Sequence, residues 1–267
     1  MKNLKDKKII VSGAAGGIGE ELVKILAKEG ANLFLLSASQ NKLIKLQNEV
    51  KTLGGLSNYA VVDLSNSKGI KDAAAIISEI DNPDILINLA GISYFGSFGL
   101  QKFEEIERLY NVNLLAPIIL SQAILPEMVK RGSGQIVNIG SFFGSIAFPC
   151  YATYSSSKAG LRSFSESLRR EVSKAGIKVS YIVPRAVKTA INDKLAVEFL
   201  HKTKTAVEEP VVTAHRILNA IKAEKKYAYL GFPESFFVRL NYLIPSVVDM
   251  ALQKQGDIAR EILSETN

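Results

Sequence analysis

A single α/β domain built on a doubly wound parallel sheet is the fold class this sequence predicts, and three observations predict it. Short β-branched apolar runs alternate with amphipathic stretches along the whole chain. The first run passes directly into a glycine-rich turn that opens a helical stretch, and several later runs end in small or polar residues. With 267 residues, 47% of them hydrophobic and 22% charged, the chain suits one sizeable core. No repeat, linker or low-complexity tract divides it, so one domain is expected over 1–267.

The first strand is Ile9-Ile10-Val11-Ser12, followed by Gly13-Ala14-Ala15-Gly16-Gly17-Ile18-Gly19 and a helix from Glu20 to Glu29. Glycines let the backbone approach a pyrophosphate closely, and the helix start aims amide groups and its positive dipole end at the charge. Gly13, Ala15, Gly17, Ile18 and Gly19 are therefore candidate cofactor contacts. The second strand, Asn32 to Leu36, leads into Ser37-Ala38-Ser39-Gln40-Asn41-Lys42, where an adenosine ribose is expected. An acidic residue there would select NAD. Its absence, with the hydroxyls of Ser37 and Ser39 and the nearby Lys42, favours NADP over NAD, although no arginine stands there either.

A helix from Lys42 to Thr52 precedes the strand Tyr59 to Val62, which ends in Asp63-Leu64; Asp63 either meets a ligand or caps the helix starting near Ser65. A helix from Ile70 to Ile80 and a strand Asp84 to Ile87 lead to Asn88-Leu89-Ala90-Gly91. Phe103 to Lys130 reads as one long helix holding Pro117, whose missing N–H leaves the carbonyl of Asn113 without its helical donor. Gln135 to Ile139 is a buried strand, placing Ser141 at its carboxyl end, where open parallel sheets bind ligands. The apolar, aromatic stretch Phe142 to Cys150 either packs the core or lines a substrate pocket.

Tyr154 and Lys158 lie one turn apart on the next helix, which is expected to reach Lys174. An ammonium beside a phenol favours phenolate, so Lys158 is expected to lower the pKa of Tyr154 towards neutrality. The strand Lys178 to Val183 ends in Pro184-Arg185-Ala186-Val187-Lys188-Thr189. The segment 188–212 is expected to form a mobile lid that keeps water from the reaction, followed by a helix Thr213 to Lys222 and a strand near Lys226 to Leu230. The apolar segment 235–252 is broken by Arg239, Pro245 and Asp249 and falls short of the roughly 20 apolar residues of a membrane span. Subunit packing, a pocket cover and peripheral membrane contact are its readings, in that order.

Ser141 with Tyr154-Ser155-Ser156-Ser157-Lys158 resembles the Ser and Tyr-x-x-x-Lys site of the short-chain dehydrogenase/reductase family, and the resemblance covers nearly the whole chain. It implies a Rossmann-type fold and reversible hydride transfer between a nicotinamide cofactor and a ketone or secondary alcohol. It also implies roles for Asn113, Ser141, Tyr154 and Lys158 as the catalytic set. Ser12 replaces the family's usual threonine before the glycine turn and keeps its hydroxyl. Asp63 and Leu64 match the adenine contacts. Asn88, Ala90 and Gly91 match the family's Asn-Asn-Ala-Gly, with Leu89 a departure. Pro184, Val187 and Thr189 match a nicotinamide-binding pattern, with Arg185 where glycine is usual. That arginine either crowds the nicotinamide or reaches an anionic group. The apolar segments point to a hydrophobic substrate. The alternative is a catalytically silent cofactor-binding regulatory or assembly protein of the same fold.

Composition narrows the remaining classes. The net charge of +7 is spread along the sequence without a nucleic-acid module, so no nucleic acid is expected as a partner. His201 and His215 lack metal-ligand spacing, and no metal is expected. The single Cys150 cannot form an internal disulfide and fits a reducing compartment. The charged start, Met1 to Lys8, carries no leader pattern; a cytoplasmic homo-oligomer is expected.

Overall fold

The computed structural model describes residues 3–232 and 234–265; Met1, Lys2, Pro233, Thr266 and Asn267 lie outside them. The chain runs β1 (Lys8–Ser12), α1 (Gly17–Lys28), β2 (Asn32–Ser37), α2 (Gln40–Thr52), β3 (Leu56–Val61), α3 (Ser67–Ser78) and β4 (Ile85–Asn88). It continues through α4 (Phe103–Tyr110), a turn of π-helix (Asn111–Leu115), α5 (Ala116–Arg131), β5 (Gly134–Ile139), α6 (Ala152–Glu171) and β6 (Ile177–Val183). The remainder is β7 (Ala186–Val187), α7 (Lys194–Lys202), β8 (Val207–Glu208), α8 (Pro210–Lys222), β9 (Tyr227–Tyr229), α9 (Glu234–Leu243) and α10 (Pro245–Ser264).

Seven strands form one parallel sheet in the order β3-β2-β1-β4-β5-β6-β9. The period of two along each strand explains how both faces are covered. Ile9 and Val11 pack towards α1, α2 and α8 together with Leu33, Leu35 and Val137. Ile10 between them packs the other way, with Leu86, Ile136 and the Leu120, Ile124 and Met128 face of α5. Each such fully buried aliphatic side chain contributes about 1.5 to 3 kcal/mol. The chain winds one way from β1 to β3 and the other way from β4 onwards, so a crevice opens at the carboxyl ends of β1 and β4.

Helix boundaries move where caps decide them. The helix expected from Ile70 begins at Ser67 because Asn66, not Asp63, accepts the Gly69 N–H at 2.9 Å. The third strand begins earlier than expected, at Leu56, and ends at Val61. The segment 103–131 is one continuous rod, long and apolar enough by composition to cross a membrane, but one face of it, with Val112, Ala116, Leu120, Ile124 and Met128, packs on α3 and the sheet. Within it the Ala116 N–H bonds to Asn111 O, a widened turn. Pro117 follows immediately with no N–H for Asn113 O.

The expected lid is more ordered than a mobile loop. It holds α7, capped by Asp193, and its two ends are clamped by β7 pairing with β8. The apolar tail is a helical hairpin of α9 and α10 rather than one segment. Val238 and Val248 pack against Ile146, while Phe236, Leu243, Ile244, Val247 and Met250 are exposed.

Candidate active site

One cavity of about 1090 Å³ lies over the carboxyl ends of the central strands. It collects Gly13, Gly17, Ile18, Gly19, Gly91, Ser141, Tyr154, Lys158, Pro184, Val187 and Thr189 from segments spread over 177 positions, Gly13 to Thr189. The glycine turn is a cradle that side chains would fill. A Cβ on Gly13, which sits at φ 69°, would lie 2.7 Å from the Ala90 backbone. One on Gly19 would run into the carbonyl oxygens of Gly13 and Ala14. With the start of α1 facing the same space, these residues fit the pyrophosphate of a dinucleotide.

Other expected contacts act from behind the cavity wall. The Ser12 hydroxyl accepts from the N–H groups of Leu89 (3.3 Å) and Ala90 (3.4 Å), tying the first turn to the end of β4. Asn88 is buried and donates to Asn138 Oδ1 at 2.8 Å, and Asn138 donates on to Ser165 Oγ at 2.8 Å. Ala15 and Leu64 are buried in the core. Asp63 lines a separate depression beside α3, where it accepts from Ser65 N–H at 2.9 Å; that bond holds its carboxyl below the usual range. Ser37 and Ser39 are half-buried at the end of β2, whereas Lys42 reaches the cavity lining itself.

The reactive end is built on α6. Tyr154 and Lys158 face the same way from consecutive turns, and Ser141 follows the end of β5. Lys158 is buried, with its Nζ donating to Ile139 O at 3.2 Å. Asn113 lies beneath, fully buried: Oδ1 accepts from Ile92 N–H at 2.9 Å, and Nδ2 donates to Ile92 O at 2.9 Å and to Ser157 Oγ at 3.1 Å. Its side chain thus ties the loop after β4 to α6 and leaves the main-chain carbonyl apart. Gly140 has no room for a side chain because the Tyr181 ring occupies that place, and the Tyr181 hydroxyl donates to Lys158 O at 3.2 Å.

The electrostatics correct one expectation. Burial pushes the Tyr154 phenol above its ordinary 10.0, with the Ser141 hydrogen bond pulling weakly the other way. Burial also lowers Lys158 from 10.5 to about 8. Desolvation of both groups outweighs the attraction between ammonium and phenolate that the spacing suggested. Tyr154 is consequently neutral at neutral pH, the form that can donate a proton.

Arg108 and Asp193 line the cavity although neither carried a signal in the sequence; Arg108, from α4, also acts on Asp63 through its charge. Arg185, conspicuous in the sequence, and Lys204 line the lid side, so five cations, Lys42, Arg108, Lys158, Arg185 and Lys204, face one carboxylate, Asp193. The aromatic stretch after Ser141 does line the cavity, through Phe142, Phe143 and Phe148, and the tail contributes Phe237, Val248 and Leu252. Tyr151 and Phe199 complete that apolar end.

A family model described as short chain dehydrogenase matches residues 7–198. The chain is 35% identical over 254 residues to dehydrogenase/reductase SDR family member 7B of Danio rerio, covering 89% of this chain and 82% of the relative. It is 33% identical over 226 residues to the ketoacyl reductase HetN of Nostoc sp., covering 83% and 77%. A short-chain dehydrogenase from Sphingobium yanoikuyae, solved in complex with NADPH, superposes with a TM-score of 0.79 at 25% identity over 92% of this chain and 96% of that one. The chain is an oxidoreductase that belongs to the short-chain dehydrogenase family.

Proposed function

We propose that the protein reduces hydrophobic ketones, and oxidises the matching secondary alcohols, with NADPH favoured over NADH. The observation that carries this reading is Tyr154, neutral and lining the cavity beside Ser141, with Lys158 buried one turn behind it.

The glycine turn would hold the pyrophosphate, Lys42 with Ser37 and Ser39 the ribose phosphate, and Val187 with Thr189 the nicotinamide end. Hydride transfer to or from the substrate carbon is the chemistry that the nicotinamide supplies when bound. The chain's own part is orientation and proton handling. Ser141 and Tyr154 take the carbonyl oxygen between two hydroxyls, and the phenolic proton passes to that oxygen as it becomes an alcohol. Lys158 keeps positive charge near the phenol during that transfer, and Asn113 holds the loop and helix that carry the group in register. The aromatic wall formed by Phe142, Phe143, Phe148 and Phe199 supports an apolar substrate. The excess of cations in the cavity supports phosphate-bearing ligands, and the absence of an acid after β2 supports NADPH.

A panel of ketones and secondary alcohols, followed by cofactor absorbance with each nicotinamide, tests the proposal. Turnover of apolar ketones with NADPH is expected. NADPH binding without turnover of any carbonyl would move the chain to a cofactor-binding regulator. We also propose that the chain self-associates, on the support of the apolar surface left exposed by α9 and α10. Light scattering on a sizing column reads this directly. A monomer that pellets with anionic vesicles would assign that surface to a membrane instead.

A further inference from the structure

Helix α10 turns one face into the cavity. Val248, Ala251, Leu252 and Gln255 all line it, and offsets of three, four and seven residues from Val248 put them on a single side of the helix. The helical rise makes this stripe about 10 Å long. Gln255 ends it with an amide, and everything before is aliphatic. Val248 and Leu252 pack in one cluster with Ile146 and with Phe142, the residue after Ser141, so the stripe stands at the reactive end of the cavity. The other half of α10 pins the helix down. Ala259 and Ile262 belong to the buried cluster around Phe199 of α7, and Lys202 of α7 meets Glu261 at 3.5 Å. A Cβ on Gly256 would come within 3.3 Å of Pro149, so the helix lies close against the segment after Ser141. Packing of the tail accounts for Val248, which is buried, but not for Ala251, which lines the cavity and is exposed.

We propose that α10 measures the substrate: the ketone carries an unbranched alkyl chain that runs along Val248, Ala251 and Leu252, and Ala251 sets how long a chain fits. The inference rests on the ketone-reductase reading and names the shape of its substrate. With the carbonyl oxygen held at Tyr154 and Ser141, a chain leaving the carbonyl on the tail side meets this wall. Each methylene gains by leaving water, and the stripe presents no polar side chain before Gln255. Between the larger Val248 and Leu252, the single methyl of Ala251 leaves a notch that the chain occupies. Because α10 is fixed to α7 and lies against Pro149, the wall does not retreat before a longer substrate, so length is discriminated rather than accommodated.

The test is a series of methyl ketones from hexan-2-one to decan-2-one, reduced with NADPH by the wild type, Ala251→Phe and Met250→Phe. Met250 is exposed on the neighbouring, outward side of the same helix, so its variant adds an equal ring away from the stripe. In the wild type each methylene that reaches the stripe raises kcat/KM by up to about 4-fold. The ring of Ala251→Phe fills the notch and cuts the ratio of decan-2-one to hexan-2-one by roughly 10-fold or more, while Met250→Phe keeps the wild-type ratio. Calorimetry of both ketones on the proteins loaded with oxidised NADP, which cannot reduce them, reads the same ratio without turnover. If no ketone is reduced, the reductase reading fails, and the calorimetric ratio still decides the role of α10. A wild-type response that is flat with chain length, a ratio that Ala251→Phe leaves unchanged, or one that Met250→Phe lowers as much, overturns the proposal.

Discussion

Replacing Lys158 by methionine makes the protein more stable at neutral pH while removing its activity. The ammonium is buried, and desolvation takes its pKa from 10.5 down to about 8. At about 1.36 kcal/mol for each pH unit, that difference corresponds to about 3 kcal/mol charged against the folded state wherever both folded and unfolded chains hold the proton, that is below about pH 8. The bond from Nζ to Ile139 O returns about 1 kcal/mol of this, so the methionine variant gains about 2 kcal/mol at pH 7. Between pH 8 and 10.5 the folded chain releases the proton first, and wild-type stability rises with pH. The advantage of the variant then shrinks towards zero. Urea unfolding of both proteins at pH 7 and near pH 10 measures the difference. A methionine variant that is less stable than wild type at pH 7, or a difference that does not change with pH, refutes the reasoning.

Alcohol oxidation needs the phenol of Tyr154 deprotonated. Because burial holds it above 10.0, kcat/KM for oxidation climbs with pH through the neutral range without levelling off below that value; a plateau near pH 7 contradicts this. Asn138→Leu breaks the buried chain from Asn88 to Ser165 and costs about 1 to 3 kcal/mol in urea unfolding; wild-type stability in the variant would show the chain to be dispensable. Lys42→Glu puts a carboxylate where the cavity meets the end of β2, and NADPH affinity falls at least tenfold relative to NADH in a binding titration. Equal losses for both cofactors place Lys42 away from the ribose phosphate.

Much of the fold was legible because the central strands are buried on both faces and the helices carry apolar stripes, signals that survive in one dimension. The free carbonyl of Asn113 was legible too, since the missing N–H of Pro117 is a covalent fact, whereas the widened turn before it was not. The glycine turn declared itself by composition, and its tight fit against Ala90 explains why. The Tyr154 and Lys158 pair was visible as a spacing, but the direction of both pKa shifts was not, because burial depends on β6, α4, the turn 142–144 and the widened turn 111–115 packing on α6. Tyr151 had no signal beside the more conspicuous Tyr154; only the folded chain brings Phe95, Phe143 and Phe199 against its ring. Arg108 and Asp193 reach the cavity by the same tertiary accident. Ser12 and Asn88 read as ligand contacts from their positions at strand ends, but their hydrogen bonds run to neighbouring strands and helices.

The central claim is that one phenol in this cavity delivers the proton that completes ketone reduction. Tyr154→Phe keeps the ring and removes only that proton, so its steady-state reduction of a ketone by NADPH, with cofactor affinity measured alongside, is the most direct test. The expected result is a loss of roughly 100- to 10,000-fold in kcat with NADPH affinity within a few-fold of wild type. A variant that keeps substantial ketone turnover contradicts it.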